Sequence, residues 1–373
     1  MAFRSQTSLM FLGDICLART LYGQQPSDLV ESTLSEAIGF GSYVVGNLES
    51  VLKFEEIADR DHLDFQGDPK LLEGLRFIDL FGLANNHIND FGDDGIQETL
   101  EALEGGGFEH CGINDYVKRV VIGERVVEII FAADMMNKAF GDDQKYKVLD
   151  LFSAELDAIV ERSLSDVEHT VLYAHTGLLF CAFPSVKIRN RLQQLVEHGL
   201  SAVITAHSHC TGGIEWHRGV PIVYSVGDTI MDGSSFRRRQ SFAVDLRFSQ
   251  KKLKPKIIDL QFRHSSLGVA TKYEGAKARL KRGCFSLIMS MPSAFYRVAF
   301  NSLYRLGILA HILSTVLFLL SRLGLKRTLQ RLTLRKREAF RFLSWMVRDR
   351  RSSSTDYDAI SPNRKIIRPD ELR

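Results

Sequence analysis

Through about residue 264, short apolar runs alternate with polar segments rich in glycine, asparagine and aspartate. Residues 8–12, 43–45, 77–83, 126–132, 170–174 and 202–206 are apolar runs of strand length. Residues 26–38, 93–103 and the stretch that follows Pro184 instead carry apolar positions at helical spacing. Gly105, Gly106 and Gly107 stop the second of these helices, and His198 with Gly199 stops the third. From Ile214 to Phe262 the runs IEWH, PIVYSV, SFAVDLRF and KIIDLQF predict strands only. Alternation followed by a run of strands predicts an α/β body finished by an antiparallel section. No internal repeat is visible.

The polar residues that follow the strand-like runs are not ordinary turn formers. Five runs end in groups that bind metals: Asp14, Glu49, Asn86 with His87, His175, and His207 with His209. In α/β domains, chemistry collects at the carboxyl ends of buried strands. The longest such segment, Asn85-Asn86-His87 through Asn89, Asp90 and Gly92, lies between the 77–83 run and its helix. Taken alone it reads equally well as a turn, because Asn, Asp and Gly tolerate unusual backbone angles. Matching chemistry at four other strand ends favours a site. Carboxylate, amide and imidazole ligands together suit Mn, Fe or Zn better than Mg alone. Two such ions bridged by a carboxylate would clamp a phosphate and activate a water. His207 and His209, two apart on a strand, would share one face.

The ordered set Gly13-Asp14, Gly46-Asn47-Leu48-Glu49, LANNHINDFG at 83–92, His175-Thr176-Gly177, Ala206-His207-Ser208-His209 and YSVGDTIMD at 224–232 resembles the CapA family. These are capsule or poly-gamma-glutamate biosynthesis proteins with a calcineurin-like metallophosphoesterase fold. The resemblance implies an α/β, four-layer αββα sandwich with a dinuclear site of two divalent transition-metal ions. It implies Asp14, Glu49, Asn86, His175, His207 and His209 as ligands, His87 as the general acid, and Asp90 as its orienting partner. It also implies a metal-dependent phosphoesterase acting on a phosphorylated or lipid-linked intermediate of envelope polymer synthesis. The alternative is a non-catalytic, metal-binding scaffold of the same machinery. The sequence departs from the family pattern in four places: Leu178 and Leu179 stand where an acidic residue follows the HxG block, Ala206-His207-Ser208-His209 replaces an HHPH-like block while keeping both expected ligands, Asp228 replaces an amide, and Cys16 takes a position given to His in related phosphoesterases.

Charge and cysteine usage add a location. Residues 271–373 hold 22 Lys or Arg against 7 Asp or Glu, so a basic tail of about +15 follows an acidic body. The five cysteines are scattered and lack CxxC spacing, which excludes a disulfide framework and fits a reducing compartment. The N-terminal residues do not read as a signal peptide. Residues 306–321 form an apolar stretch of about 16 residues between Arg305 and Arg322, short of the roughly 20 that span a bilayer. Residues 326–351 interleave Arg with Leu, Phe and Trp345, the character of an interfacial helix. The expected organisation is a catalytic-type domain at 1–264, a basic helical extension at 265–351 and a disordered tail at 352–373. The expected location is cytoplasmic, on the inner membrane face, with an anionic membrane as partner. A helical subdomain packed on the body is the other reading of the extension. Nucleic acid suits so apolar a segment less well.

Overall fold

The computed structural model describes residues 7–334, except 39–40, 56, 58–63, 135–139, 141–142, 232–239, 250–251 and 264–265. In chain order the elements are β1 (Ser8–Ile15), α1 (Ser32–Ile38), β2 (Ser42–Leu48), β3 (Val51–Leu52), β4 (Gln66–Gly67), β5 (Leu80–Gly82), α2 (Gly92–Gly105), β6 (Glu109–Cys111), β7 (Val117–Ile122) and β8 (Arg125–Ala133). There follow α3 (Ala154–Asp166), β9 (His169–Thr176), α4 (Val186–Glu197), β10 (Ala202–His207), β11 (Ile214–His217), β12 (Val220–Val223), β13 (Asp228–Ile230), β14 (Gln240–Ser249), β15 (Lys252–Arg263), β16 (Ser266–Val269), α5 (Lys272–Met289) and α6 (Ser293–Leu334).

Two sheets face each other and helices cover their outer sides. One has the order β16-β15-β14-β1-β2-β5-β6, with β13 also paired to β1; the other has the order β11-β12-β10-β9-β8-β7. Strand alternation divides β1 between two cores. Leu9 and Phe11 join Val127, Ile129, Phe131, Val171 and Ile204 in the core between the sheets. Met10 and Leu12 pack on the other side with Leu71, Leu75, Ile96 and Leu103, under α2 and the 3-10 turn Pro69–Leu75. A third core beneath α3 and α4 joins Ile130, Leu172 and Val203 to Leu156, Leu192 and Leu195. The result is the four-layer αββα sandwich expected from the sequence. β1, β2, β5 and β6 run parallel, as do β8, β9, β10 and β12, so their carboxyl ends gather along one edge of each sheet.

Local differences from the sequence reading have local causes. Residues 26–38 are not one helix: a 3-10 turn at Pro26–Asp28 is separated from α1. Glu31 N donates to Leu267 O and Leu267 N to Leu29 O, both at 2.7 Å, so β16 draws residues 29–31 into bridge pairing and breaks the helix. The 77–83 run shortens to Leu80–Gly82, because Ile78 N still bonds Leu75 O and Asp79 is tied to Val44. The strand-only region from Ile214 divides between the two sheets, β11 and β12 in one and β13 to β15 in the other. Helix α3, unassigned from sequence, is capped by Ser153, whose side chain accepts from Leu156 N.

By internal contacts the chain divides into Met1–Thr315 and Val316–Arg373. Within the first unit, Thr271 and Glu274 form a reciprocal capping box that starts α5. Met289 and Tyr296 are buried in the third core, and the Tyr296 hydroxyl donates to Pro184 O at 2.7 Å. Of residues 326–351, those to 334 continue α6; residues 335–373, including the tail expected from Ser352, lie outside the described residues. No helix among the described residues is long and apolar enough to cross a membrane.

Buried Arg189 on α4 locks this region. Its Nε donates to Glu215 Oε2 at 3.1 Å, and its Nη2 donates to the carbonyls of Met289 and Met291 at 2.7 and 3.1 Å. Removing one partner of a buried ion pair costs about 3–5 kcal/mol, because the other charge stays buried without it. Arg189→Met should therefore lower unfolding free energy by about that amount in urea titrations. A loss below about 1 kcal/mol would mean that α5 and α6 hold without this contact.

Candidate metal centre

Cross-strand register assembles the site. Asp14 lies opposite Asn47 on β2 and Asp228 on β13, and on the other sheet His175 lies opposite Ala206 and His207 opposite Thr176. Gly13 lets the backbones close up here: a Cβ at Gly13 would sit 1.8 Å from the Gly227 carbonyl oxygen. Asn85 is a brace, with its side chain donating to Leu48 O at 2.7 Å and accepting from His87 N at 3.1 Å. That turn sends Asn86 toward the centre, where its Oδ1 lies 2.7 Å from His175 Nε2.

His207 and His209 reach the site differently from the sequence expectation. β10 ends at His207, so the pair does not share a strand face. Positive φ angles of 103° at His207 and 54° at His209 turn both into the cleft. Such backbone costs about 1–3 kcal/mol per residue and persists only when its surroundings fix it. One fixing contact is Asp14 Oδ2, which accepts from His207 N at 3.0 Å.

All six expected ligands are buried and converge. Glu49, His175 and His207 form one group with metal-binding spacing, and Asp14, Glu49 and His209 form a second. Glu49 belongs to both. Its Oε1 lies 3.5 Å from His175 Nε2 and 3.9 Å from His209 Nε2. The Asn86 amide oxygen stands beside the first group, through its contact with His175 Nε2.

The electrostatics of these side chains favour a cation. Among the described residues, neither Glu49 oxygen accepts a hydrogen bond, and His207 Nε2 has no hydrogen-bond partner. A buried carboxylate left so is costly unless a positive charge sits beside it. Burial acts to lower the His175 pKa, but the neighbouring Asp14 and Glu49 carboxylates outweigh it and hold the ring at about 9. Burial acts to raise Asp14, yet His175, His209 and the Asn47 amide hold it well below the usual carboxylate range. Burial and the neighbouring His175 and His209 rings keep His207 well below its ordinary value, so it is neutral, the form that ligates. Ligands at about 2.0–2.2 Å from a tetrahedral ion stand about 3.4 Å apart, close to the Glu49–His175 spacing. The donor set thus fits one or two divalent ions.

Around this set lie groups with a positioning role. His209 Nδ1 is 2.7 Å from Asp228 Oδ1, the carboxylate–imidazole contact that orients a ligating ring. Asn47 Nδ2 donates to Asp14 Oδ1 at 2.8 Å and lies 3.1 Å from His175 Nδ1. Asp134, just past β8, accepts from the Thr176 hydroxyl at 2.7 Å, and burial lifts its carboxyl to about 6. None of these three was assigned a role from sequence. Asp134 follows a strand-like run just as the assigned residues do, so the strand-end rule could have found it. His87 is buried beside the ligands, with Nδ1 2.7 Å from Asp90 Oδ2 and its ring stacked on Phe65 at 3.7 Å. The same Asp90 oxygen accepts from Phe65 N at 2.9 Å, so it fixes both members of the stack.

Because His207 and His209 serve different groups and Glu49 serves both, single substitutions should act separately. Metal analysis of chains loaded with Mn or Zn should give two ions for the wild type, one for His207→Ala or His209→Ala, and near none for the double variant. Unchanged metal content in the double variant would contradict the assignment.

The family model described as bacterial capsule synthesis protein PGA_cap matches residues 8–233. The PGA biosynthesis protein CapA of Bacillus subtilis (strain 168) is 24% identical over 254 residues, covering 64% of this chain and 66% of the relative. The capsule biosynthesis protein CapA of Bacillus anthracis is 22% identical over 258 residues, covering 64% of this chain and 62% of the relative. The chain thus spans a little under two thirds of the length of these curated relatives. Among solved structures, a putative 5'-nucleotidase from Staphylococcus aureus in complex with alpha-ketoglutarate aligns over 73% of this chain and 57% of its own, at 14% identity and a TM-score of 0.46. Since the matching model spans more than half of the sequence and takes in every strand end that feeds the site, the chain belongs to the bacterial capsule synthesis family PGA_cap.

Proposed function

We propose that the protein is a metal-dependent phosphoesterase of capsule or envelope polymer biosynthesis, acting on a phosphorylated or lipid-linked intermediate. The observation that carries this reading is Glu49, a buried carboxylate shared by two ligand groups, next to the His87–Asp90 pair. Asp14, Glu49, Asn86, His175, His207 and His209 would hold the ions, which supply Lewis-acid polarisation of a phosphoryl oxygen and a nucleophile at neutral pH. Asp228 and Asn47 hold His209 and Asp14 in place. Asp90 engages His87 Nδ1, which assigns Nε2 as the nitrogen that gives a proton to the leaving oxygen. Phe65 stacks on that ring and limits its rotation. We place the protein on the cytoplasmic side, peripheral to the membrane. The five cysteines, all free thiols, four of them buried, support a reducing compartment.

A second reading, a metal-binding scaffold without hydrolysis, is favoured by Leu178 and Leu179, which put no acidic residue directly after His175-Thr176-Gly177. Assays on generic phosphomonoesters and phosphodiesters with Mn-loaded protein separate the two. On the enzyme reading His87→Asn lowers kcat by about 10²–10⁴-fold with metal content unchanged. Asp90→Asn lowers kcat less, because the ring keeps its place but loses its carboxylate partner. No cleavage of any phosphoester by fully loaded wild type would leave the scaffold reading.

A further inference from the structure

Helices α5 and α6 each turn one side to the body and carry apolar residues on another side that the body leaves exposed. On α5, Gly275, Arg282 and Met289 recur every seven residues and are buried against the body. On the opposite side Tyr273, Leu280 and Leu287 recur at the same interval and are 72–78% exposed. On α6, Tyr296 is buried and Phe300 and Leu303 pack beside it. About a third of a turn round that helix, Phe295, Val298, Leu306, Leu309 and Leu313 form one stripe and are 59–82% exposed. Isolated exposed leucines need no explanation, but apolar side chains recurring on the outer side of two successive helices mark a surface that something covers.

Charge selects what covers it. Residues 272–334 contain eleven Lys or Arg and one acidic residue, Glu274. Lys272, Lys277, Arg279, Arg297 and Arg305 are exposed around the apolar rows. An apolar face bordered by cations is the pattern of a helix lying in the plane of a membrane interface. Juxtamembrane Lys and Arg draw such helices to anionic lipids.

We infer that the outward face of α5 and α6 is an interfacial docking surface for anionic lipid, with Leu306, Leu309 and Leu313 entering the headgroup–acyl boundary. This deepens the membrane-peripheral placement proposed above and is independent of whether the site hydrolyses a phosphoester.

Flotation of the full-length chain tests it, with vesicles of phosphatidylcholine alone or of phosphatidylcholine with phosphatidylglycerol. The wild type should float with the anionic vesicles, weakly with the neutral ones, and less as salt rises. Leu306→Glu/Leu309→Glu/Leu313→Glu should reduce partitioning at least about tenfold, and Leu280→Ser/Leu287→Ser should reduce it independently. Both variants should keep wild-type metal content and thermal unfolding, since the altered side chains lie in solvent. A wild type that stays at the bottom with anionic vesicles at low salt would overturn the inference, as would variants that float equally well. So would a wild type that is dimeric in solution while the triple variant is monomeric, because a second copy would then cover the face. Metal content and phosphatase activity measured on the same samples separate a failure here from a failure of the enzymatic reading.

Discussion

A buried carboxylate with no hydrogen-bond donor of its own sets the terms for the whole active edge. Among the described residues both Glu49 oxygens lack a hydrogen-bond partner, which is costly unless positive charge stands beside them, and the His175 ring 3.5 Å away is drawn up to about 9. The neighbouring parts answer to that demand. Asp14 is held ionised by the same histidine, and His207 is kept neutral because a second positive ring beside His175 is unfavourable. Strained backbone at His207 and His209 is retained because it brings their rings to the carboxylates. A divalent cation held by these groups would offset the cost of burying them, as expected of a site kept for binding rather than for stability.

The two sheets divide the work of building the site. The first supplies Asp14, Glu49 and the Asn86–His87 turn, and the second supplies His175 and the His207–His209 turn. The central core between them, with Phe11 edge-on to Tyr173, fixes the separation of the two ligand sets. A change in that core would act on the metal through the distance between sheets, without touching a ligand. The Tyr173 hydroxyl, which donates to Leu12 O, is a polar tie between the sheets two residues before Asp14.

Much of this could be read from the sequence, for a physical reason. Parallel strands buried on both faces must be apolar runs, so a polar residue just after such a run falls on one known edge, and Asp14, Glu49, Asn86, His175, His207 and His209 all follow that rule. What escaped the reading depends on pairing between strands. Asn47 and Asp228 matter because register sets them beside Asp14, and single-strand patterning carries no register. The break in residues 26–38 comes from β16, more than 200 residues away, and the division of the strand-only region between two sheets leaves no trace in alternation. The turn that aims His209 likewise depends on Asp228, across the site, rather than on its own neighbours.

The most direct measurement of the central claim is anomalous diffraction from crystals of the Mn-loaded protein. Two peaks should flank the Glu49 carboxylate, one within reach of His175 and His207 and the other of Asp14 and His209. A single peak away from Glu49, or none at saturating Mn, would contradict a shared two-ion site.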